Sequence, residues 1–310
     1  MTAKPKPTRD PSGSYPVDQP GLALDRFLRG SLPGASWADV RRYIERGKVS
    51  VDSVLVVDAR RVLDPGSVVT LTLSAPRPRA EVLGADALVY VDGAIVVVEK
   101  PSGLSTVPFD ESERDSLDVR VRDVLFRLHR GPRAPLGVVQ RLDKETSGLL
   151  VFARTTAAKK HLQQQLRAHS VHRRYLALAH GSVSSTCVRS RLVKNRGDGR
   201  RGSTERADLG RLSVTHVRAL EVLAGATLVE CRLETGRTHQ IRIHLSELGH
   251  PLLGDRVYGH GYQGARLDAA RVMLHAAELG FVHPTTGRSM SFRSEPPVDF
   301  RRLLERLRSR

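Results

Sequence analysis

The chain has few of the residues that build disulfide or metal scaffolds. Its 310 residues include two cysteines, Cys187 and Cys231, which form no C-x-x-C pair. This argues against a disulfide scaffold and against a structural zinc site. His239 and His244 are five residues apart, about 140° around a helix, so they do not share one face. We therefore expect no metal site, and we expect Cys231 to be a packed core thiol.

Long apolar segments are also absent from the sequence. No run of about eighteen apolar residues occurs, so no membrane span is predicted. The first twenty residues lack the apolar segment of a secretion signal, and cytoplasmic residence is the resulting expectation. Their proline, serine and glycine content predicts a disordered leader over residues 1–20.

Several enzyme classes lack their sequence signatures here. Segment 197–202, GDGRRG, satisfies G-x-G-x-x-G, but no apolar strand leads into it and no apolar-periodic helix follows. It predicts a flexible basic loop rather than a dinucleotide site. The sequence contains neither a phosphate-binding P-loop string nor the G-x-S-x-G elbow of a serine hydrolase.

What the chain has in excess is positive charge, with a formal net charge of +17. Such an excess attracts a polyanion, either nucleic acid or an anionic membrane surface. No amphipathic anchor or lipidation motif accompanies it, which favours nucleic acid. The charge could merely keep the protein soluble, but it is clustered, with six basic residues against one acid in segment 189–201.

Residues 21–75 have the pattern of a small separate module. Ser36 and Asp39 form a near capping box, Val40 and Ile44 give an apolar stripe, and Gly47 ends the predicted helix. Two short strands, VSVD and VVTLTL, follow. The pattern resembles the RNA-binding module first seen in small-subunit ribosomal protein S-four, which implies RNA contacts from three basic residues of the helix or its exit. These are Arg41, Arg42 and Arg46; a solvated basic helix is the alternative interpretation.

A linker is predicted over residues 76–87, and a larger domain over 88–310. Asp92-Gly93 between two apolar runs is a strong hairpin signal. Strand-like alternation over 173–180 and 227–233 accompanies helical spacing over 156–169 and in the segment that follows Gly236. Because strands, hairpins and helices alternate irregularly, we predict an α+β fold with a mixed sheet rather than a doubly wound one.

One acid stands out in this domain. In the segment QRLDKETSGLLVF, which covers residues 140–152, Asp143 precedes a Thr-Ser-Gly turn and an apolar run. This arrangement holds one carboxylate at the rim of a buried sheet, within reach of a ligand. An aspartate that only caps a helix or closes a turn is the alternative.

The same segment resembles the R-L-D-x-x-T-S-G-L-L signature of the RluA-type pseudouridine synthases. Four other strings extend the resemblance over residues 88–297: KPSGL at 100–104, GRTHQIR at 236–242, HPLLGDRVYG at 250–259 and LHAAELGFVHP at 274–284. The resemblance implies a pseudouridine synthase fold with a largely antiparallel mixed sheet. It also implies isomerisation of uridine in RNA, without a cofactor.

The resemblance assigns roles to individual residues. Asp143 is the expected nucleophile, Arg237 its expected ion-pair partner, and Tyr175 the ring that stacks on the flipped base. Leu233 is expected to pack beside the base and Arg242 to meet a phosphate. Further substrate contacts are expected from Gln140, Arg141 and Gln240, with Gln140 standing where the family usually has histidine. A surface salt bridge for each arginine and a core position for Tyr175 are the alternatives.

Two functions of different classes follow from these patterns. The first is an RNA pseudouridine synthase that acts, as a monomer, on ribosomal RNA or transfer RNA. The second is a non-catalytic RNA-binding or ribosome-assembly protein on the same fold. Retention of Asp143, Tyr175 and Arg237 together favours the enzyme, since a degenerate site has no reason to keep all three.

Overall fold

The computed structural model describes residues 10–18, 21–57, 59, 61–75, 83–109, 113, 115–129 and 136–309. The chain divides into two compact units, Met1–Val82 and Leu83–Arg310. The division falls inside the stretch that the sequence predicts as a linker.

The N-terminal unit contains two helices and a four-stranded antiparallel sheet. The helices are α1 (Leu24–Ser31) and α2 (Trp37–Glu45), and the strands, in the order β1-β4-β2-β3, are β1 (Gly13–Pro16), β2 (Val49–Val51), β3 (Val54–Leu55) and β4 (Val68–Leu71). The predicted capping box is confirmed, because Ser36 and Asp39 cap each other's backbone N–H at the start of α2. Val40 and Ile44 are fully buried, as their spacing predicts.

Strand β1 corrects the predicted disordered leader. Ser14 and Tyr15 pair with Thr70 and Val69, and Val17 is only 1% exposed. A short polar segment becomes ordered here because β4 offers an open edge, and the Tyr15 ring packs against the core of this unit. The prediction is therefore wrong for residues 13–17, while residues 1–9 and 19–20 lie outside the described ones.

The C-terminal unit is built on one large sheet flanked by helices. Its strands are β5 (Leu88–Val91), β6 (Ile95–Lys100), β7 (Gly137–Val138), β8 (Ser147–Ala153), β9 (His172–His180), β10 (Thr186–Val193), β11 (Gly202–Thr204), β12 (Arg211–Leu223), β13 (Ala226–Leu233), β14 (Leu274–Val282) and β15 (Ser289–Arg293). Its helices are α3 (Leu117–His129), α4 (Thr156–Arg167), α5 (Gln240–Glu247) and α6 (Val298–Arg308).

The order of this sheet is β11-β10-β12-β13-β9-β14-β8-β6-β5, with β15 added to β14 and β7 added to β8. Within the described residues all pairs are antiparallel except β14 with β8, which is parallel. The α+β prediction with a mixed, largely antiparallel sheet is confirmed. The predicted hairpin around Asp92-Gly93 is also confirmed, as β5 and β6.

Helices cover both faces of the sheet. Residues of α3 and α5 share one apolar cluster with Tyr175, Cys231 and Leu233, so this face carries the sequence motifs. Residues of α4 and α6 pack in two further clusters. The predicted core position of Cys231 is confirmed, and burial raises the pKa of its thiol to about 12.

The parallel contact of β8 with β14 explains the glycine of the Thr-Ser-Gly segment. Gly148 has a φ of +111°, and a Cβ there would lie 2.3 Å from the carbonyl oxygen of Ala276. Since only glycine tolerates both the dihedral angle and the close approach, it lets the chain after Asp143 enter the sheet beside β14. Ser147 adds a side-chain hydrogen bond to His275 Nδ1 at 3.1 Å.

Candidate active site

Asp143 lies in the loop between β7 and β8. Its carbonyl oxygen accepts a hydrogen bond from Thr146 N at 3.0 Å, which closes a turn, and its side chain is 22% exposed. The backbone thus does make the turn of the alternative interpretation. The carboxylate is nevertheless free to face other groups, because the turn uses only the main chain of this residue.

The segment KPSGL at 100–104 holds this loop in place. Lys100 is fully buried, and its Nζ donates to the carbonyl oxygens of Pro101, Leu104 and Lys144 at 2.8, 2.7 and 3.0 Å. Burial lowers the pKa of this ammonium to about 7, against an opposing effect of the Asp143 charge. Both sequence motifs therefore meet at one point, with Lys100 bound to the residue that follows the acid.

A second clamp fixes the residue that precedes Asp143. The Thr106 hydroxyl donates to the carbonyl oxygen of Leu142 at 2.9 Å and accepts from Leu142 N at 3.1 Å. Both Thr106 and Leu142 are buried. The loop that carries the acid is consequently tied down on either side of Asp143.

The arginine beside Asp143 is Arg242, two residues into α5. Its Nη1 lies 3.8 Å from Asp143 Oδ2, and its side chain is 6% exposed. Its Nε and Nη2 donate to Asp255 Oδ2 and Oδ1 at 2.7 and 2.9 Å. Asp255 is fully buried, and although burial opposes it, the hydrogen bond to Arg242 and the charge of Arg242 lower the pKa of Asp255. Arg242 is thus a bridge between two carboxylates.

This geometry corrects the role predicted for Arg237 and the phosphate contact predicted for Arg242. Arg237 forms no ion pair with Asp143 in the part of the chain that the structure describes; its Nε donates instead to the carbonyl oxygen of Leu212 at 3.2 Å. Burial and the charge of Arg211 lower the pKa of Arg237. Arg237 lies before the helix and Arg242 lies inside it, so the five-residue spacing turns their side chains to different neighbours.

Gln240 is likewise a structural residue rather than a substrate contact. It is 2% exposed, and its Nε2 donates to Val214 O and Thr215 Oγ1 at 3.0 and 2.9 Å. Its Oε1 accepts from Thr235 Oγ1 and from Arg237 N. With its hydrogen bonds used inside the protein, the amide anchors the start of α5 to β12.

His239 is the other group close to the acid. Its Nε2 lies 4.0 Å from Asp143 Oδ1, and its Nδ1 is 2.9 Å from the Tyr258 hydroxyl. It caps α5 in the left-handed region, with a φ of +59°. Burial lowers the pKa of His239, while the Asp143 charge opposes that effect. His239 is one of four non-glycine residues with a positive φ in the part of the chain that the structure describes.

Tyr258 ties this histidine to the arginine. Its ring meets the ring of His239 edge-on at 5.6 Å, and the Arg242 guanidinium carbon lies 5.3 Å from its centroid. Its backbone N–H donates to Asp255 Oδ1 at 3.0 Å. His239, Arg242, Asp255 and Tyr258 therefore form one connected network around Asp143.

Tyr175 and Leu233 line the same face of the sheet. Tyr175 is 8% exposed on β9, and burial raises the pKa of its hydroxyl, with a smaller contribution from the Asp143 charge. Leu233 ends β13 at 9% exposure in the same apolar cluster. Both residues are core residues that lie at the edge of the site.

The remaining predicted contacts lie outside this network. Arg141 is exposed, and Gln140 borders an apolar crevice with Val139, Leu162 and Phe281. The three arginines of the N-terminal unit are on the exposed side of α2 or at its end, where Arg41 lies 3.6 Å from Asp25 and Arg42 pairs with Asp39. Arg46 is exposed at the end of the helix.

Comparisons with known proteins identify the family of this chain. The model of the RNA pseudouridylate synthase family matches residues 94–247. A ribosomal large subunit pseudouridine synthase D of Zymomonas mobilis is 36% identical, over 93% of this chain and 94% of that protein. An uncharacterized RNA pseudouridine synthase of Chloroflexus aurantiacus is 38% identical, over 95% of this chain and 93% of that protein. This chain belongs to the RNA pseudouridylate synthase family.

Solved structures of that family share the fold. Human RNA Pseudouridylate Synthase Domain Containing 4 superposes with a TM-score of 0.60 at 25% identity, over 72% of this chain and 93% of that one. Human RNA Pseudouridylate Synthase Domain Containing 1 gives a TM-score of 0.54 at 25% identity, over 72% and 95%. The protein is thus an isomerase that acts on RNA. No helix among the described residues is long and apolar enough to cross a membrane.

Four residues at the site, three of them in the network around Asp143, had no role assigned from the sequence. They are Lys100, His239, Asp255 and Tyr258. All four lie in strings that carry the family resemblance, KPSGL, GRTHQIR and HPLLGDRVYG. The signal that could have found them is the concentration of titratable side chains in those strings. Their partners are distant in sequence, so only the fold reveals them.

Proposed function

We propose that the protein isomerises uridine to pseudouridine in large-subunit ribosomal RNA, with Asp143 as the nucleophile. The observation that carries the proposal is the position of this carboxylate. It is partly exposed in a loop fixed on both sides, and the guanidinium of Arg242 lies 3.8 Å away. Relatives named ribosomal large subunit pseudouridine synthase D, which align over more than nine-tenths of the chain, support the choice of RNA.

The reaction requires a nucleophile and a place for the displaced base. The bond between N1 of the uracil and C1′ of the ribose breaks, the uracil turns in place, and its carbon 5 is joined to C1′. Carbon 5 then loses its proton to solvent and N1 gains one, so the product is an isomer of uridine. Asp143 assists this exchange, either at the ribose or on the uracil ring. Tyr175 stacks on the base that has left its helix, and Leu233 packs beside it. Arg242 supplies a fixed positive charge at the carboxylate, held by Asp255 rather than by the substrate.

Basic surfaces of both units bind the RNA backbone in this proposal. Arg41, Arg42 and Arg46 of the S-four-like N-terminal module contact phosphates, as does the basic segment 189–201. Arg141, next to the nucleophile and exposed, contacts the RNA near the target uridine. Gln140, which precedes Arg141, orients the RNA through hydrogen bonds of its side-chain amide. The protein works as a monomer in the cytoplasm, where ribosomal RNA is assembled into subunits.

Mapping of pseudouridines tests the choice of RNA. Ribosomal and transfer RNA from cells with and without the protein are compared at nucleotide resolution, and we expect loss of a site in large-subunit RNA. Complementation with Asp143→Asn should not restore that site, because the amide is isosteric but a poor nucleophile. A site that disappears only from small-subunit or transfer RNA would reject the proposed substrate, and restoration by Asp143→Asn would reject the proposed nucleophile.

The contribution of the N-terminal module is tested by charge removal. A triple Arg41→Gln, Arg42→Gln, Arg46→Gln variant should bind large-subunit RNA more weakly, with a salt slope lower by about one for each phosphate that is no longer bound. The single-turnover rate at saturating RNA should stay near that of the wild type, because the catalytic acid is untouched. An unchanged affinity and slope would show that these arginines do not touch the substrate.

A further inference from the structure

A cavity of about 480 Å³ lies beside the network around Asp143. It is enclosed by the basic loop between β10 and β11, by α5 and by the segment that follows α5. The residues that give it chemical character are Arg196, Arg200, Ser246, Glu247, Tyr258 and Tyr262. None of the residues assigned above to the nucleophile, its arginine or the stacked base lines it, so it is distinct from the place of the target uracil.

Tyr258 connects this cavity to the catalytic acid. It lines the cavity, its hydroxyl is 2.9 Å from His239 Nδ1, and its ring faces Arg242 at 5.3 Å. His239 Nε2 in turn lies 4.0 Å from Asp143 Oδ1. The cavity therefore begins one side chain away from the groups that contact Asp143, which is a suitable place for a neighbour of the target nucleotide.

Positive charge surrounds the cavity on the side of the basic loop. Arg200 forms no ion pair with any residue that the structure describes, and its Nη1 donates to the carbonyl oxygen of Val257 at 3.3 Å. Arg196, by contrast, is held by Asp198 at 2.9 Å. Burial lowers the pKa of His239 and raises that of Tyr258, and the charge of Arg201 acts on both groups. Of the two arginines that line the cavity, Arg200 is thus the one that remains available for a phosphate.

The lining favours a nucleobase inside rather than a phosphate. Glu247 places a carboxylate on the wall, where it accepts from the N–H and hydroxyl of Ser203, and a negative wall disfavours a free phosphate. The Tyr262 ring packs at 4.7 Å from the ring of His180, which fixes its orientation. Aromatic rings accept any base by stacking, and polar groups such as Ser246 and Glu247 can meet its edge.

We propose that this cavity binds one unstacked nucleotide of the RNA that flanks the target uridine, with its base against Tyr258 and Tyr262 and its phosphate at Arg200. The proposal rests on the proposed function, since it assumes an RNA substrate at Asp143. Extrusion of the target base disrupts the stacking of its neighbours, and a pocket for one of them offsets part of that cost. The pocket would then contribute to the choice of site.

Two glycines of one short helical turn, Gly259–Gly261, provide a matched test. Gly261 lines the cavity, and a Cβ added there meets no atom within 4 Å. Gly259 has the same open space but does not line the cavity. Neither has a positive φ, so Gly261→Phe fills the cavity and Gly259→Phe adds the same ring outside it, without backbone strain.

The full-length variants are assayed with transcripts of large-subunit, small-subunit and transfer RNA that carry tritium at carbon 5 of uridine. We expect Gly261→Phe to weaken RNA binding about tenfold, as the loss of one base stack does, and Gly259→Phe to stay within twofold of the wild type. The salt slope of binding should be unchanged in Gly261→Phe but lower by about one in Arg200→Gln.

Each outcome decides the proposal. Equal affinities of the two phenylalanine variants, both folded by their melting curves, would overturn it. A salt slope lowered in Gly261→Phe as much as in Arg200→Gln would show an anion site without a base, and this would also overturn it. If Gly261→Phe does not fold, an unchanged affinity and salt slope in Arg200→Gln overturns it instead. Wild-type turnover only on small-subunit or transfer RNA would reject the proposed substrate. The affinities of Gly261→Phe and Gly259→Phe for that RNA would then still test the cavity.

Discussion

Arg242 Nη1 lies 3.8 Å from Asp143 Oδ2, while the other two nitrogens of the same guanidinium bind Asp255 at 2.7 and 2.9 Å. The shorter bonds go to the carboxylate that is fully buried, and the longer contact goes to the one that is partly exposed. Asp255 therefore sets the orientation of the guanidinium before any substrate arrives. The remaining nitrogen, Nη1, faces Asp143.

This relationship predicts different consequences for two arginines of one motif. Arg242→Lys should lower the single-turnover rate by at least about 100-fold, because an ammonium cannot bind Asp255 in two-point fashion and also reach Asp143. Arg237→Lys is the matched control and should stay within about tenfold, since Arg237 bonds to a carbonyl oxygen. The measurement is tritium release from carbon 5 at saturating RNA. A larger loss in Arg237→Lys than in Arg242→Lys would contradict the assignment.

Asp255→Asn should affect both stability and catalysis. The amide oxygen can still accept from Val257 N and Tyr258 N, which Asp255 Oδ1 now binds, but the charge that compensates buried Arg242 is lost. Breaking a buried ion pair costs about 3–5 kcal/mol of unfolding free energy. A displaced Arg242 should also lower the catalytic rate roughly 10- to 100-fold.

Chemical denaturation and single-turnover rates at saturating RNA measure the two effects of Asp255→Asn. Asp268→Asn is the control, because Asp268 is an exposed acid in the same segment between α5 and β14. It should change neither the unfolding free energy nor the single-turnover rate appreciably. A variant that loses stability but keeps the full rate would show that Asp255 acts on the fold alone.

The surroundings of Asp143 show which features of the site can be predicted from the sequence. The string around Asp143 predicts the acid, the turn and the buried strand, because their periodicity is local. The sequence assigns the partner of the acid to Arg237 instead of Arg242, since both arginines stand in the string GRTHQIR. Which one faces Asp143 depends on where α5 begins, and His239 starts that helix in an unusual left-handed conformation. Helix boundaries of this kind are not readable from propensity.

Burial of polar side chains is the other feature that the sequence conceals. Spacing predicts that Ile241, Leu245 and Leu248 lie on the buried side of α5. Ile241 and Leu245 are buried, but Leu248 is 40% exposed, because the helix ends before it and it forms the C-cap. Gln240, Arg242 and His244 on its other faces are buried as well. Their partners come from β10, β12 and the segment around Asp255, and such contacts between distant parts of the chain leave no periodic signal. The role of Lys100 is hidden from the sequence for the same reason.

His239→Gln tests whether burial or the charge of Asp143 dominates the pKa of His239. Burial lowers its pKa and the charge of Asp143 opposes that, with Arg242, Asp255 and Arg201 also within electrostatic reach. Because the pKa of His239 is lowered from the ordinary histidine value of about 6.5, its imidazole becomes charged only at a more acidic pH than a free histidine does. Rates of the wild type and His239→Gln should therefore run parallel from pH 8 to 6.5. Below that pH the wild type should fall faster, because a second cation then pairs with the nucleophile. Divergence that begins above pH 6.5 would show that Asp143 outweighs burial.

Lys100→Met gives a prediction about stability at alkaline pH. The pKa of Lys100 is about 7 in the folded protein, and that of an unfolded lysine is about 10.4. Between these values the unfolded chain binds a proton that the folded chain does not, so the wild-type unfolding free energy rises with pH in this window relative to the variant. From pH 7 to 9.5 the relative gain should be on the order of 3 kcal/mol. Urea denaturation of both proteins at the two pH values measures it, with the other titrating groups cancelling in the difference. A constant difference would mean that the three carbonyl oxygens of Pro101, Leu104 and Lys144 keep the ammonium charged, and that the loop of Asp143 is held by a full positive charge at alkaline pH as well.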